Sequence, residues 1–347
     1  MRTTEHSDFK SRPSWETVSP KFREVVLVSN ALPEKFPEAN KKETRRQDSG
    51  IDKEREASQE ALMGSLDERE KTLFQNYLKQ KHDYFVALAR RYYPLVRFFR
   101  NQGMLGIENR GWQAVARHSL VMSELAGNLA QALNKSGVEV NPNELRVAGL
   151  IHDMIKRFEM EHFRTLQSKN ADREEGQRVS EEQIYKQMAD FGDNQFADLV
   201  NNESFKSEIV SMLPELQAPD RFEEFIRFIR NIGEVGSMEM VSKGFDPESS
   251  PLESSELLEN NISKILFYLD QIIKHTAIVS VQERFADARK RYASPKSQQS
   301  AQFKQMDNRE TIALRIQREF TARLGIGQEE VAQYLAKLFF EKLNQGI

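Results

Sequence analysis

Cysteine is absent from all 347 residues, which removes disulfides, thiolate metal sites and cysteine nucleophiles together. Any metal ion must therefore be held by nitrogen and oxygen. Long apolar runs are missing too: no stretch approaches the roughly 20 apolar residues of a membrane span. The opening MRTTEHSDFK has none of the apolar core of a signal peptide. The expectation is a soluble, cytoplasmic protein with no membrane partner. Charge of one sign is also lacking, because 50 Lys and Arg stand against 53 Asp and Glu, a formal net charge of -3. With no concentrated basic and aromatic stripe, nucleic acid is disfavoured as a partner.

What is present is helix. From about Ser65 to Arg100, Leu73, Tyr77, Tyr84, Leu88, Tyr92 and Leu95 recur at steps of three, four and seven. Beyond Gly103 and Gly106, a second helix is predicted over 111–133, with Val115, Met122, Leu125, Leu129 and Leu133 as its apolar stripe. Asn141-Pro142-Asn143-Glu144 announces a third over 142–156, with an N-cap asparagine, proline at the first helical position and a carboxylate near the positive end of the dipole. That helix is apolar nearly all round and should be buried. A long helix over 256–291 is followed by the polar linker SPKSQQSAQ and two amphipathic helices punctuated by Gly325 and Gly327. With no alternating strand pattern of any length outside one cluster, the fold class expected is all-α.

The domain expectation has three parts. Residues 1–60 read as a mostly disordered tail, polar and charged, whose apolar cluster Val25-Val26-Leu27-Val28 is either fortuitous or a docking element. Residues 61–293 form a helical domain, within which the more polar 164–255, broken by glycines and prolines, is an insertion or lid. Residues 294–347 are the linker and the two C-terminal helices.

Only six histidines exist, and two lie in strongly apolar helical surroundings. His118 shares a stripe with Met122, Leu125 and Leu129, and taken alone it reads as a satisfied core residue. His152-Asp153 follows Leu150-Ile151 inside the buried third helix. An ionised carboxylate there costs several kcal/mol unless paired or metal-bound. Asp270 sits at the edge of the apolar face made by Ile262, Ile265, Leu266, Leu269, Ile272 and Ile273. Singly it reads as bonded to a nearby Arg, Lys or amide; three helices each presenting such a residue to the core is a less common accident. Imidazole nitrogens and carboxylate oxygens together suit one divalent cation such as Mn, Fe, Co, Ni, Zn or Mg. Two carboxylates crowded into one partly desolvated site should repel and raise at least one pKa.

A histidine, then His-Asp, then a distant Asp on a later helix resembles the HD superfamily of metal-dependent phosphohydrolases. RHSLVMSELAGNLAQAL and ELRVAGLIHDMIKR look like that family's first two conserved helices, and ILFYLDQIIKHTAIVSVQERFADARKRY is similar to the terminal part of small members. The likeness covers roughly 110–292. It implies an HD-type helical bundle with His118, His152, Asp153 and Asp270 as ligands of a single metal ion. It also implies that Asp153 touches the nucleophilic water. Lys156 and Arg157 are candidates to hold phosphate, or equally a solvated helix end. Lys156 stands where some nucleotidase members carry an acid, which weakens direct transfer of that activity. Only His162 falls between the pair and the last Asp, so a bimetallic site is disfavoured; His162, Glu159 and Glu161 read as surface residues. His275 is ambiguous, and His6 and His82 carry no assignment.

The activity expected is hydrolysis of a phosphate ester, that of a nucleotide or another phosphorylated small molecule, by metal-activated water. The alternative is a catalytically silent HD module that binds a nucleotide or partner protein through its tail and C-terminal helices. A homo-oligomer is left open.

Overall fold

Helix ends in this chain fall where capping groups and prolines dictate. The computed structural model describes residues 14–28, 60–61, 63–101, 111–230, 240, 244–255, 258–274, 277–292, 301–327 and 331–345. After a 3-10 turn at Trp15–Thr17 come α1 (Pro20–Val28), α2 (Glu68–Arg91), α3 (Tyr93–Asn101), α4 (Gly111–Lys135), α5 (Pro142–Ile151) and α6 (Lys156–Ala171). Then follow α7 (Glu181–Val200), α8 (Glu203–Met212), α9 (Pro219–Arg230), α10 (Asn261–Ile272), α11 (Val281–Tyr292), α12 (Ala301–Leu324) and α13 (Val331–Gln345). Among the described residues the only sheet is a hairpin of β1 (Ile273–Lys274) and β2 (Ala277–Ile278), in register Ile273 with Ile278. The fold is all-α.

Local chemistry accounts for these boundaries. Pro94 cannot donate the backbone bond that would join α2 to α3, so the chain turns at Tyr92. Asn141 caps α5, its side-chain oxygen accepting from the amides of Asn143 at 2.9 Å and Glu144 at 3.3 Å. Ser180 and Gln183 form a reciprocal capping box at the start of α7.

Two predicted helices break. The helix expected over 142–156 stops at Ile151, and residues 152–155 form a turn before α6. The helix expected over 256–291 is two, α10 and α11, separated by the hairpin. β-branched Ile272, Ile273, Ile278 and Val279 fit extended backbone as well as helix. Ser280 then starts α11 afresh: its hydroxyl accepts from the Glu283 amide at 3.1 Å, and its own amide donates to the Glu283 carboxylate at 2.8 Å.

One hydrophobic core runs through the described helices. It contains Leu125 and Leu129 of α4, Leu145 and Ile151 of α5, Leu266 and Leu269 of α10, and Ile316 and Phe320 of α12. Phe205, Phe222 and Phe225 of α8 and α9, within the segment read as an insertion, belong to it as well.

The reading of 1–60 as a mostly disordered tail fails for residues 14–28. Trp15, Val18, Phe22, Val25 and Val26 are buried. Phe22 packs edge-on against Phe74 of α2 (6.2 Å) and Phe340 of α13 (5.9 Å), and Trp15 meets Phe340 at 5.5 Å. The segment is too short for a long amphipathic period to show, and its partners lie at the far end of the chain. The rest of the tail lies outside the described residues. Phe22→Ala should therefore cost about 3–5 kcal/mol, the usual range for a fully buried phenylalanine, read as a lowered urea midpoint. An unchanged midpoint would make α1 an appendage.

Candidate metal centre

The centre is built on the contact between α4 and α5. Gly149, one turn before the end of α5, lies against the backbone of α4: a Cβ there would stand 3.0 Å from the carbonyl carbon and oxygen of Met122 and the Cα of Ser123. Only glycine lets the two helices approach this closely. His118, one turn before Met122 on α4, and His152, the residue that caps α5, are thereby brought together, their Nε2 atoms 3.2 Å apart.

Ending α5 at Ile151 has a direct chemical effect. The carbonyl of Gly149, near the helix end, is met by the His152 ring, whose Nδ1 lies 2.7 Å away. A hydrogen on Nδ1 donating to that carbonyl leaves the Nε2 lone pair facing the centre, as in metal-binding imidazoles. The turn then carries Asp153 round to the same side, with Oδ2 3.7 Å from His152 Nε2. Asp270, near the end of α10, directs Oδ1 at both rings, 3.4 Å from His118 Nε2 and 3.9 Å from His152 Nε2.

The donor set fits a cation. The ligand atoms of His118, His152 and Asp153 all lie within 4.8 Å of one another. Two donors each about 2.1 Å from one ion stand roughly 3.0–3.4 Å apart at octahedral or tetrahedral angles. The separation of 3.2 Å between the imidazole nitrogens and that of 3.4 Å from His118 to Asp270 fall in this range, whereas those from His152 to Asp153 and Asp270, 3.7 and 3.9 Å, lie above it, and Asp270 stands outside the group of three whose ligand atoms are all within 4.8 Å.

Electrostatics ties the four groups together. Burial alone would lower the pKa of His118, but its hydrogen bond to Asp270 and the charges of Asp153 and Asp270 outweigh burial and raise it. Burial dominates at His152, whose pKa is lowered despite Asp153. Repulsion between the carboxylates does not prevail as expected. Burial pushes both Asp153 and Asp270 up, and the Asp270 charge pushes Asp153 further, yet both end lowered. For Asp153 the opposing charges are His152 and Lys156; for Asp270, held well below the usual range, they are His118, Arg309 and His152.

The further predicted residues separate. Lys156 Nζ, on the first turn of α6, is 3.9 Å from Asp153 Oδ1. Arg157 turns away, its Nε donating to Glu161 at 2.7 Å in a half-exposed pair. His162 stacks on Phe191 at 4.2 Å, away from the centre, and His275 lies outside the described residues. Arg309 of α12 is the residue that sequence reasoning missed. Its guanidinium donates to Asp270 Oδ2 at 3.2 Å, beside a bond of 3.1 Å from Gln271 Nε2 to the same oxygen. Nothing local marks it among 50 basic residues. Only the packing of α12 on α10, through Tyr268 to Gln317 (3.0 Å) and Lys264 to Glu319 (3.0 Å), places it there.

No curated protein and no solved structure matches this chain. A family model does: that of the HD domain aligns with residues 115–231, an interval that takes in His118, His152 and Asp153 and ends before Asp270. Over these residues, about a third of its length, the chain is similar to the HD domain.

Proposed function

We propose that this protein is a metal-dependent phosphohydrolase in which His118, His152, Asp153 and Asp270 hold one divalent ion and a phosphate ester, a nucleotide or another phosphorylated small molecule, is the substrate. The observation that carries this reading is the convergence of two imidazole nitrogens and a carboxylate oxygen within 4.8 Å, with Asp270 Oδ1 3.4 Å from His118. A mixed nitrogen and oxygen set suits Mn, Fe, Co, Ni or Zn, with Mg at the harder extreme. When bound, such an ion supplies Lewis acidity, making water more acidic and neutralising charge on a phosphoryl oxygen.

The residues themselves have separable tasks. His152 is fixed through Nδ1 on Gly149 and presents one nitrogen in one direction. Asp153 has the most exposed side chain of the four, at 23 %, so it is the carboxylate best placed to orient an attacking water and take its proton. Lys156 beside it offers an ammonium to the substrate phosphate. Arg309 is a positioning residue. By holding Oδ2 of Asp270 it leaves Oδ1 facing the imidazoles.

Three outcomes are expected. Mn2+ at 100 times its dissociation constant should stabilise the protein by about 2.7 kcal/mol, with turnover on some member of a panel of phosphomonoesters, diesters and nucleotides. Asp270→Asn should remove both effects, and its metal-free form should be less stable than the parent, because the pair with Arg309 is lost. Equal metal shifts in parent and variant would take Asp270 out of the site. Metal binding without turnover would favour the silent module.

The second outcome concerns pH. His118 must be neutral to bind a cation, and its pKa in the metal-free protein is raised. Protons therefore compete with metal at low pH, and affinity should fall by about tenfold per unit on acidification once His118 is protonated. Calorimetric titration of Mn2+ between about pH 6 and 8 checks the sign, and a flat profile would contradict it.

The third concerns Arg309. Arg309→Gln should weaken Mn2+ binding by about 10–100-fold, and Arg309→Lys should recover part of that loss. A merely structural arginine would lower the melting temperature of both variants and leave the metal dissociation constant unchanged.

A further inference from the structure

We propose a second ligand site in this chain: a pocket for a small apolar carboxylate whose anion pairs with the ammonium of Lys81. The pocket lies where the two ends of the chain meet its middle. Val26 of α1, Phe85 of α2, Leu125 of α4, Ile278 of β2 and Phe339 of α13 are among its walls, and none of the four residues of the candidate metal centre lines it. Its empty space is about 400 Å³ when the open solvent at its mouth is counted, so the enclosed part is much smaller and suits only a slender ligand. Small-molecule sites are mostly apolar with a few convergent polar groups. Here the charged groups are Lys81 and Glu124.

The two charges are not equivalent. Glu124 is already matched, accepting from the Tyr84 hydroxyl and from the ammonium of Lys342. Lys81 has no hydrogen bond or ion pair among the described residues; its neighbour is the ring of Tyr77, 6.0 Å from Nζ. A lysine on a helix ordinarily lays its stem on apolar surface and keeps the head in water, yet Lys81 is 4 % exposed. Among the described residues such an ammonium has no counter-charge, and burial pushes its pKa down to about 8. It is still mostly protonated near neutral pH.

This combination selects the ligand class. One uncompensated positive charge calls for a monoanion, since a phosphate dianion would leave excess negative charge beside Glu124. The apolar walls call for a hydrocarbon body. A carboxylate on a short chain meets both demands, while an alcohol of the same shape meets only the second.

Sodium hexanoate, 1-hexanol and hexylamine are the probes, titrated calorimetrically into the metal-free full chain and into Lys81→Met. The variant keeps length and apolar character, and removing an unpaired buried cation should leave its melting temperature equal to or above the parent's, so folding is checked directly. Hexanoate is expected to bind the parent at least about tenfold more tightly than hexanol, the discrimination of a charge-assisted bond, and hexylamine not at all. In Lys81→Met the hexanoate preference should disappear and hexanol binding should persist. Absence of hexanoate binding to the parent at millimolar concentration, equal binding of hexanoate and hexanol, or parental hexanoate affinity in Lys81→Met would each overturn the site.

Discussion

The close approach of α4 and α5 is the constraint on which the centre depends. A methyl group at position 149 would meet the α4 backbone at 3.0 Å, where neither Met122 nor Ser123 can yield without moving the helix. Backbone contact of this kind is stiff, unlike contact between flexible side-chain ends. It fixes the His118 and His152 nitrogens 3.2 Å apart. The same glycine supplies the carbonyl that orients His152, so one residue sets both the spacing of the rings and the direction of a lone pair.

Asp270 reaches the centre by a different route. It rides on α10, whose place is fixed by core packing and by polar bridges to α12: Lys264 to Glu319, Tyr268 to Gln317, and Asp270 itself to Arg309. Its two oxygens face different partners, one the imidazoles and the other the guanidinium. The ion pair with Arg309 therefore occupies one oxygen and leaves the other directed at the imidazoles. Without an ion, His118 and Arg309 keep Asp270 ionised, and His152 and Lys156 do the same for Asp153.

The candidate ligand residues stand out in the sequence because each breaks a strong local rule: a charge or imidazole stands in helical surroundings that are otherwise apolar. The caps of α5 were legible for a related reason, since Asn141 and Pro142 act within one turn. What could not be read is non-local. The turn at 152–155 interrupts no hydrophobic period, because the chain stays apolar through Met154 and Ile155, both buried. The hairpin of 273–274 and 277–278 hides because the β-branched residues beside it, Ile272-Ile273 and Ile278-Val279, fit helix and strand alike. Arg309 and α1 depend on partners hundreds or tens of residues away, and amphipathic patterning says which face is buried without saying against what.

The ends of the chain illustrate that last point most fully. Trp15 and Phe22 pack edge-on against Phe340, and Lys337 of α13 pairs with Glu16. α13 also lies against α4 through Lys342 and Glu124, and α4 carries His118. The helix that bears the first candidate ligand is therefore clamped from behind by both termini, although neither terminus belongs to the matched HD interval. Loss of the terminal helices would expose the far side of α4, and with it the surface that holds His118 against α5 and α10. A fragment restricted to 115–231 would keep three of the four candidate ligands but lack the packing that holds α4 in place, together with Asp270 and Arg309. The matched segment thus carries three of the four candidate ligands, and the flanking helices carry the fourth and the packing that holds them together.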